Sequence, residues 1–263
     1  MIAPTLQTTG LPDRRPKLIL YATALRDMEA GLPVSTALAA ALRMELAAFF
    51  IVDDASIEAS RLPFTTHIGF SGGELAIEPG RLEEMIQREA KRCRQALSEA
   101  GKRTGLPWSF ERLHGDALES LPAVAAGDIL VVGLDGFGSP ARHRIMNVRE
   151  YAPARGGILF VPVGRSRRGG PVVTIGLSSV GASAIADVVA RLAAELDVEV
   201  GHADLVADVA NNNSVALLRS SRLLVAPLES GLFDNGEDFS RFVISLGVPL
   251  LVLRTAPVSS ADE

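Results

Sequence analysis

Residues Leu113–Val163 read LHGDALESLPAVAAGDILVVGLDGFGSPARHRIMNVREYAPARGGILFVPV. A His-Gly-Asp corner opens the stretch, and a short helix-like segment follows it. The apolar run Ile129–Val132 leads into Gly133 and Gly136. A second helix-like segment, Arg142–Ala152, precedes another apolar run, Ile158–Val163. Apolar runs without polar alternation, separated by helical spans, are the pattern of parallel strands covered on both faces. A glycine-rich loop leaving such a strand at its carboxyl end is where open α/β sheets bind ligands. The expectation is an α/β fold with a doubly wound parallel sheet.

Upstream of this stretch the same alternation holds. Residues 1–16 contain three prolines, three threonines and a charged cluster, the composition of a flexible lead-in. Leu18–Thr23 has the character of a buried strand, and an alanine-rich helix with Pro33 near its start runs to about Leu46. Ala47–Val52 is a second strand, closed by Asp53 and Asp54. Residues 55–80, with Pro63, Gly69, Gly72, Gly73, Pro79 and Gly80, are expected to form a long insert. From Arg81 to Thr104 apolar residues recur at three and four, giving one face of a long amphipathic helix. Its basic face (Arg88, Lys91, Arg92, Arg94, Lys102 and Arg103) is taken as solvated rather than as an acidic partner's site. Trp108–Leu113 is the third strand.

Downstream, the polar linker 165–170 precedes a shortened restart of the pattern. Val172–Leu177 is a strand, Ala182–Leu196 an amphipathic helix, and Leu223–Pro227 and Val248–Leu253 are further strands. Laid side by side, the halves repeat. His114-Gly115-Asp116 recurs as His202-Ala203-Asp204, ILVVGLDG as LLVAPLES, and GGILFVPV as VPLLVLRT. Between its first helix and its His-x-Asp strand, the second half has no room for a further strand and long helix. The domain reading is a complete copy at 17–164, a truncated copy at 171–254, and a tail at 255–263.

Composition bounds the function. At 263 residues, 48 % hydrophobic and 22 % charged, the chain is globular and can bury a substantial core. A net charge of −5 gives no reason to expect nucleic acid. No apolar stretch approaches the roughly 20 residues that span a bilayer, so no membrane insertion is expected. The N-terminus lacks an apolar core of the signal-peptide kind. The single cysteine, Cys93, falls at an apolar helix position and fits a packed thiol in a reducing, cytoplasmic compartment. None of the four histidines has zinc-type spacing, and no metal site is expected.

The order of elements, the opening run LILYAT, the HGD corner and DILVVGLDG together resemble the universal stress protein family in its tandem form. The resemblance implies five parallel strands per complete copy, with copies pairing through the last strand, within a chain or in a homodimer. It also implies a stress-response role; the expected output is signalling or scaffolding through a protein partner, with no turnover beyond slow ATP hydrolysis, because no general base or metal-binding carboxylate pair is placed at the glycine loop. Nucleotide-binding members hold ATP through G-x2-G-x9-G-(S/T) after the fourth strand, where glycines let phosphates approach the backbone and helix amides bind the anion. Carried over, ATP or AMP would lie across Thr23, Val52 and the loop with Gly133, Gly136, Gly138 and Ser139. Two departures stand against this. Met146 and Asn147 occupy the place of the third glycine, and Ala24 stands where nucleotide-binding members have an aspartate, with Asp27 three residues on and past the corner. In the second half Pro227, Leu228 and Glu229 replace the glycine loop, so no nucleotide is expected there. A nucleotide-free interaction protein is therefore the competing reading.

A third reading comes from Gly69-Phe70-Ser71-Gly72-Gly73, which matches the G-x-S-x-G elbow of serine hydrolases. That elbow needs a strand before it and a helix directly after it. Pro63 and Pro79 weaken both, and a glycine hairpin or lid is the favoured reading. If Ser71 were a nucleophile, His114, His143 or His202 would have to serve as its base. Otherwise His114 and His202 are taken as structural, with Asp116 and Asp204 capping the helices that follow.

Overall fold

The computed structural model describes residues 15–62, 66–68, 74–76, 79–115, 127–134, 156–162, 169–176, 182–203, 212–228 and 244–254. The elements in chain order are β1 (Lys17–Ala22), α1 (Leu25–Leu42), β2 (Glu45–Val52), α2 (Asp54–Ser60), β3 (Thr66–Ile68), β4 (Glu74–Ala76), α3 (Pro79–Thr104) and β5 (Trp108–His114). They continue with β6 (Ile129–Leu134), β7 (Gly157–Pro162), β8 (Val172–Ile175), α4 (Ala182–Leu196), β9 (Val200–Ala203), α5 (Asn212–Ser220), β10 (Leu223–Pro227) and β11 (Leu250–Leu253).

Nine strands form one sheet in the order β5-β2-β1-β6-β7-β11-β10-β8-β9. Every neighbouring pair is parallel except β7 with β11, which runs antiparallel from Leu250 opposite Phe160 to Leu253 opposite Gly157. The apolar runs explain why both faces are covered. Successive side chains point to opposite faces. Leu18, Leu20, Leu46, Ala48, Phe50, Val131, Leu159 and Val225 pack with α1, α3 and α4 on one side. Ile19, Ala47, Leu130, Val132, Ile158, Phe160 and Leu224 fill a second core on the other, with Leu218 of α5 and Val248. The doubly wound α/β expectation is met by a mixed sheet that is parallel but for its one central junction.

Two expectations need correction. The helix after β1 starts at Leu25 and ends at Leu42, so Pro33 lies inside it rather than near its start. Side-chain acceptors described below satisfy its first amides and let it begin that early. Residues 55–80 are no structureless insert: Asp54–Ser60 is helical, because the Asp53 carboxylate accepts from the Ala55 amide and caps it. A separate pair of antiparallel strands follows, with His67 opposite Leu75, in agreement with the glycine hairpin favoured from the sequence. At the junction of the halves, β7 is flanked by β6 on one side and β11 on the other, so the pairing through this strand lies within the chain.

Among the described residues no helix is long and apolar enough to cross a membrane.

Candidate functional site

The carboxyl ends of β5, β2, β1 and β6 form one rim of the sheet. Leu20 pairs with Val131, so Ala22 and Gly133 fall level two residues further along. Connections from β1 and β6 leave toward opposite ends of the sheet, which makes this a topological switch point. Thr23, Val52 and Gly133 therefore lie at one rim of the sheet. Gly136, Gly138 and Ser139 lie outside the described residues, as do Ser71, Asp116, His143, Met146 and Glu229.

Thr23 is exposed, and its hydroxyl donates to Asp27 Oδ2 at 3.0 Å. The same carboxylate oxygen accepts from the amides of Thr23 at 3.2 Å and Ala24 at 3.1 Å. Ala24 has no side chain that could cap α1, and Asp27, in the first turn, reaches back to do so. The Leu25 amide, the next orphan donor, is met by Glu89 Oε2 from α3 at 3.0 Å. Asp27 belongs to the helix, but its carboxylate returns to the corner after β1, which corrects its expected place beyond it. Two carboxylates thus occupy the positive end of α1. Beneath them Cys93 is fully buried, and burial first, then the charges of Glu89, Asp27 and Glu29, push its thiol up to about 12. It is the packed, protonated thiol expected from its helix position.

Val52 ends β2 with its side chain almost wholly buried, and it pairs with His114 at the end of β5. Beside them a cleft of about 330 Å³ opens between α2, α3 and β5. Its charged lining is Asp54, Glu58, Arg61, Glu83, Arg112 and His114. His114 Nδ1 lies 2.9 Å from Asp54 Oδ1, and an Arg61 nitrogen lies 2.8 Å from Glu83 Oε1. The sequence reading missed this cleft. Its signal was the Asp53-Asp54 pair closing β2, which parallel pairing with β5 brings to His114. The adjacent Asp116 drew the assignment instead.

In the second half, His202 on β9 stands opposite Thr174 on β8, with Nδ1 2.9 Å from the Thr174 hydroxyl. His202 therefore has a local hydrogen-bond partner, while Asp204, expected to cap the next helix, lies outside the described residues. The Ser71 segment lies between strands β3 and β4, so a strand, not a helix, follows it, and the context of a nucleophile elbow is not met. No group of three or more His, Cys, Asp or Glu side chains among the described residues is arranged to hold a metal ion.

No protein-family model and no curated protein sequence matches the chain. Solved structures do. A universal stress protein from Archaeoglobus fulgidus DSM 4304 aligns over 92 % of this chain and 97 % of its own, with a TM-score of 0.54 at 8 % identity. A functionally unknown protein from Pseudomonas aeruginosa PAO1 aligns over 92 % of this chain and 93 % of its own, with a TM-score of 0.48 at 11 % identity. The fold is that of a universal stress protein.

Proposed function

We propose that this chain, on its universal-stress-protein fold, is a cytoplasmic signalling or scaffolding protein whose output runs through protein contacts. In this reading residues 17–164 are a complete copy and 171–254 a shortened one. Strand order supports it: β1 lies between β2 and β6 with β7 beyond, and β8 lies between β9 and β10 with β11 beyond. Losing the second strand of the later copy would set its His-x-Asp strand directly against its first. β9 does pair with β8, His202 against Thr174. The antiparallel β7–β11 junction is what two like halves related by a twofold would make.

ATP or AMP is the proposed controlling ligand, held in the first copy across Thr23, Val52 and the loop from Gly133 to Ser139. The observation that carries this is the switch point itself, with Thr23 and Gly133 on neighbouring strand ends. The returned Asp27 carboxylate would supply the acceptor that Ala24 lacks, for an amino or hydroxyl donor of the nucleoside. The role is binding, with no turnover beyond slow hydrolysis. Acid extraction of purified protein followed by chromatography, then calorimetry with ATP and AMP, tests the reading. Adenine nucleotide near one per chain supports it. No binding at about millimolar nucleotide sinks it.

A second reading, an interaction protein without nucleotide, is favoured by one observation. The α1 amides that would attract an anion are already engaged by Asp27 and Glu89. Failure of the nucleotide titration would leave this reading standing.

A further inference from the structure

We infer that the cleft between α2, α3 and β5 binds a free α-amino acid with an apolar side chain. The argument starts from which charges in the cleft are already matched. Arg61 is paired with Glu83, and His114 is hydrogen-bonded to Asp54. That leaves Arg112 and Glu58, both exposed, neither making an ion pair with another described residue. Arg112 projects from β5 on the same side as His114, two positions along, and Glu58 projects from α2 one turn after Asp54. The apolar lining of the same cleft is Val52, Ile57 and Ile86, with Val52 almost wholly buried.

One unmatched guanidinium and one unmatched carboxylate over an apolar floor complement a molecule carrying both signs. A purely anionic ligand would be drawn to Arg112 and repelled by Glu58, and a purely cationic one would meet the reverse. A carboxylate takes two parallel hydrogen bonds from a guanidinium, and an ammonium donates to a carboxylate. The apolar side chain of the ligand would then cover Ile57 and Ile86. The volume of about 330 Å³ lies at the small end of ligand pockets and suits a molecule of this size. The cleft opens at the carboxyl ends of parallel strands, but away from the β1–β6 switch point, with only Val52 common to both. The inference therefore needs no nucleotide.

The test is calorimetric titration of the full chain with L-leucine, 4-methylpentanoate and 3-methylbutylamine, each to about 10 mM. Saturable binding of L-leucine is expected, with each analogue that lacks one charge at least about tenfold weaker. Arg112→Ala and Glu58→Ala should each weaken L-leucine by about tenfold or more, with circular dichroism unchanged. Absence of saturable leucine binding would overturn the inference. So would 4-methylpentanoate binding as tightly as leucine, or wild-type affinity in both variants. If a variant fails to fold, the three-ligand comparison on the wild-type chain still decides.

Discussion

The Asp27 carboxylate lies 3.0 Å from the Thr23 hydroxyl and 3.2 Å from the Thr23 amide, so a residue inside α1 closes the corner that β1 leaves open. The bond to the Ala24 amide adds the N-terminal half of a capping box, with no partner from Ala24 itself. Replacing Asp27 by Ala should cost about 1–2 kcal/mol, because three donors lose their acceptor at once. Asp27→Asn keeps one carbonyl oxygen and should cost less than half of that. Urea denaturation with an unchanged m value checks both. An Ala variant as stable as wild type would mean that water replaces the carboxylate without loss.

This corner also shows where the sequence was legible and where it was not. Ile129–Val132 and Ile158–Pro162 announce their strands because both faces are buried, so hydrophobicity alone marks them. Pro33 misplaced the start of α1, because proline usually marks a first helical turn and tertiary contacts overrode that preference here. The Leu25 amide is met by Glu89, 64 residues away, and no local pattern could show it. The same holds for Asp54 and His114, which come together only through the parallel pairing of β2 with β5. The glycines of 69–73 pointed to the β3–β4 hairpin, whereas helix α2 was hidden, because the prolines and glycines of 55–80 mark turns without showing what lies between them.

Cys93 makes stability depend on alkaline pH. Its thiol is held near 12 in the folded chain against an ordinary 9.0, first by burial and then by Glu89, Asp27 and Glu29. Below pH 9 the thiol is protonated in both states, and its full contribution to stability is present. Between about pH 9 and 12 the unfolded chain releases the proton while the folded chain keeps it, so stability falls as pH rises, by up to about 1.4 kcal/mol per pH unit. Cys93→Ala should lack this slope, so denaturation midpoints of variant and wild type should draw together above pH 9. The same burial predicts that a thiol reagent at pH 8 modifies native protein only as fast as it opens.

The Asp54–His114 pair should matter little for stability. Its side chains are 46 % and 62 % exposed, and pairs in such surroundings couple weakly. A double-mutant cycle with Asp54→Asn and His114→Ala should give a coupling below about 1 kcal/mol near neutral pH. A coupling of several kcal/mol would show that the pair holds α2 against β5 rather than shaping the cleft.

The junction between β7 and β11 supplies the sharpest structural test, because two glycines on the chain should respond oppositely to the same substitution. Gly157 sits in β7 between Ile129 of β6 and Leu253 of β11. A methyl group added there would lie 2.6 Å from the Val252 carbonyl oxygen and 2.9 Å from Leu253 Cδ2. The side chain can rotate away, but the carbonyl belongs to the backbone of the neighbouring strand and cannot move without disturbing the ladder. Gly157→Ala should therefore destabilise by about 1–3 kcal/mol, as overpacking does elsewhere. Gly31 is the control: it lies inside α1, and its added methyl would meet Leu20 Cδ2 and Val131 Cγ1 at 3.5 Å, which is ordinary contact. Gly31→Ala should stabilise by about 0.5–1 kcal/mol, since alanine is the better helix former and restricts the unfolded chain. Thermal and urea unfolding of the two variants would show opposite signs if β7 and β11 are joined as described. Equal, small effects would mean that the halves do not share one continuous sheet.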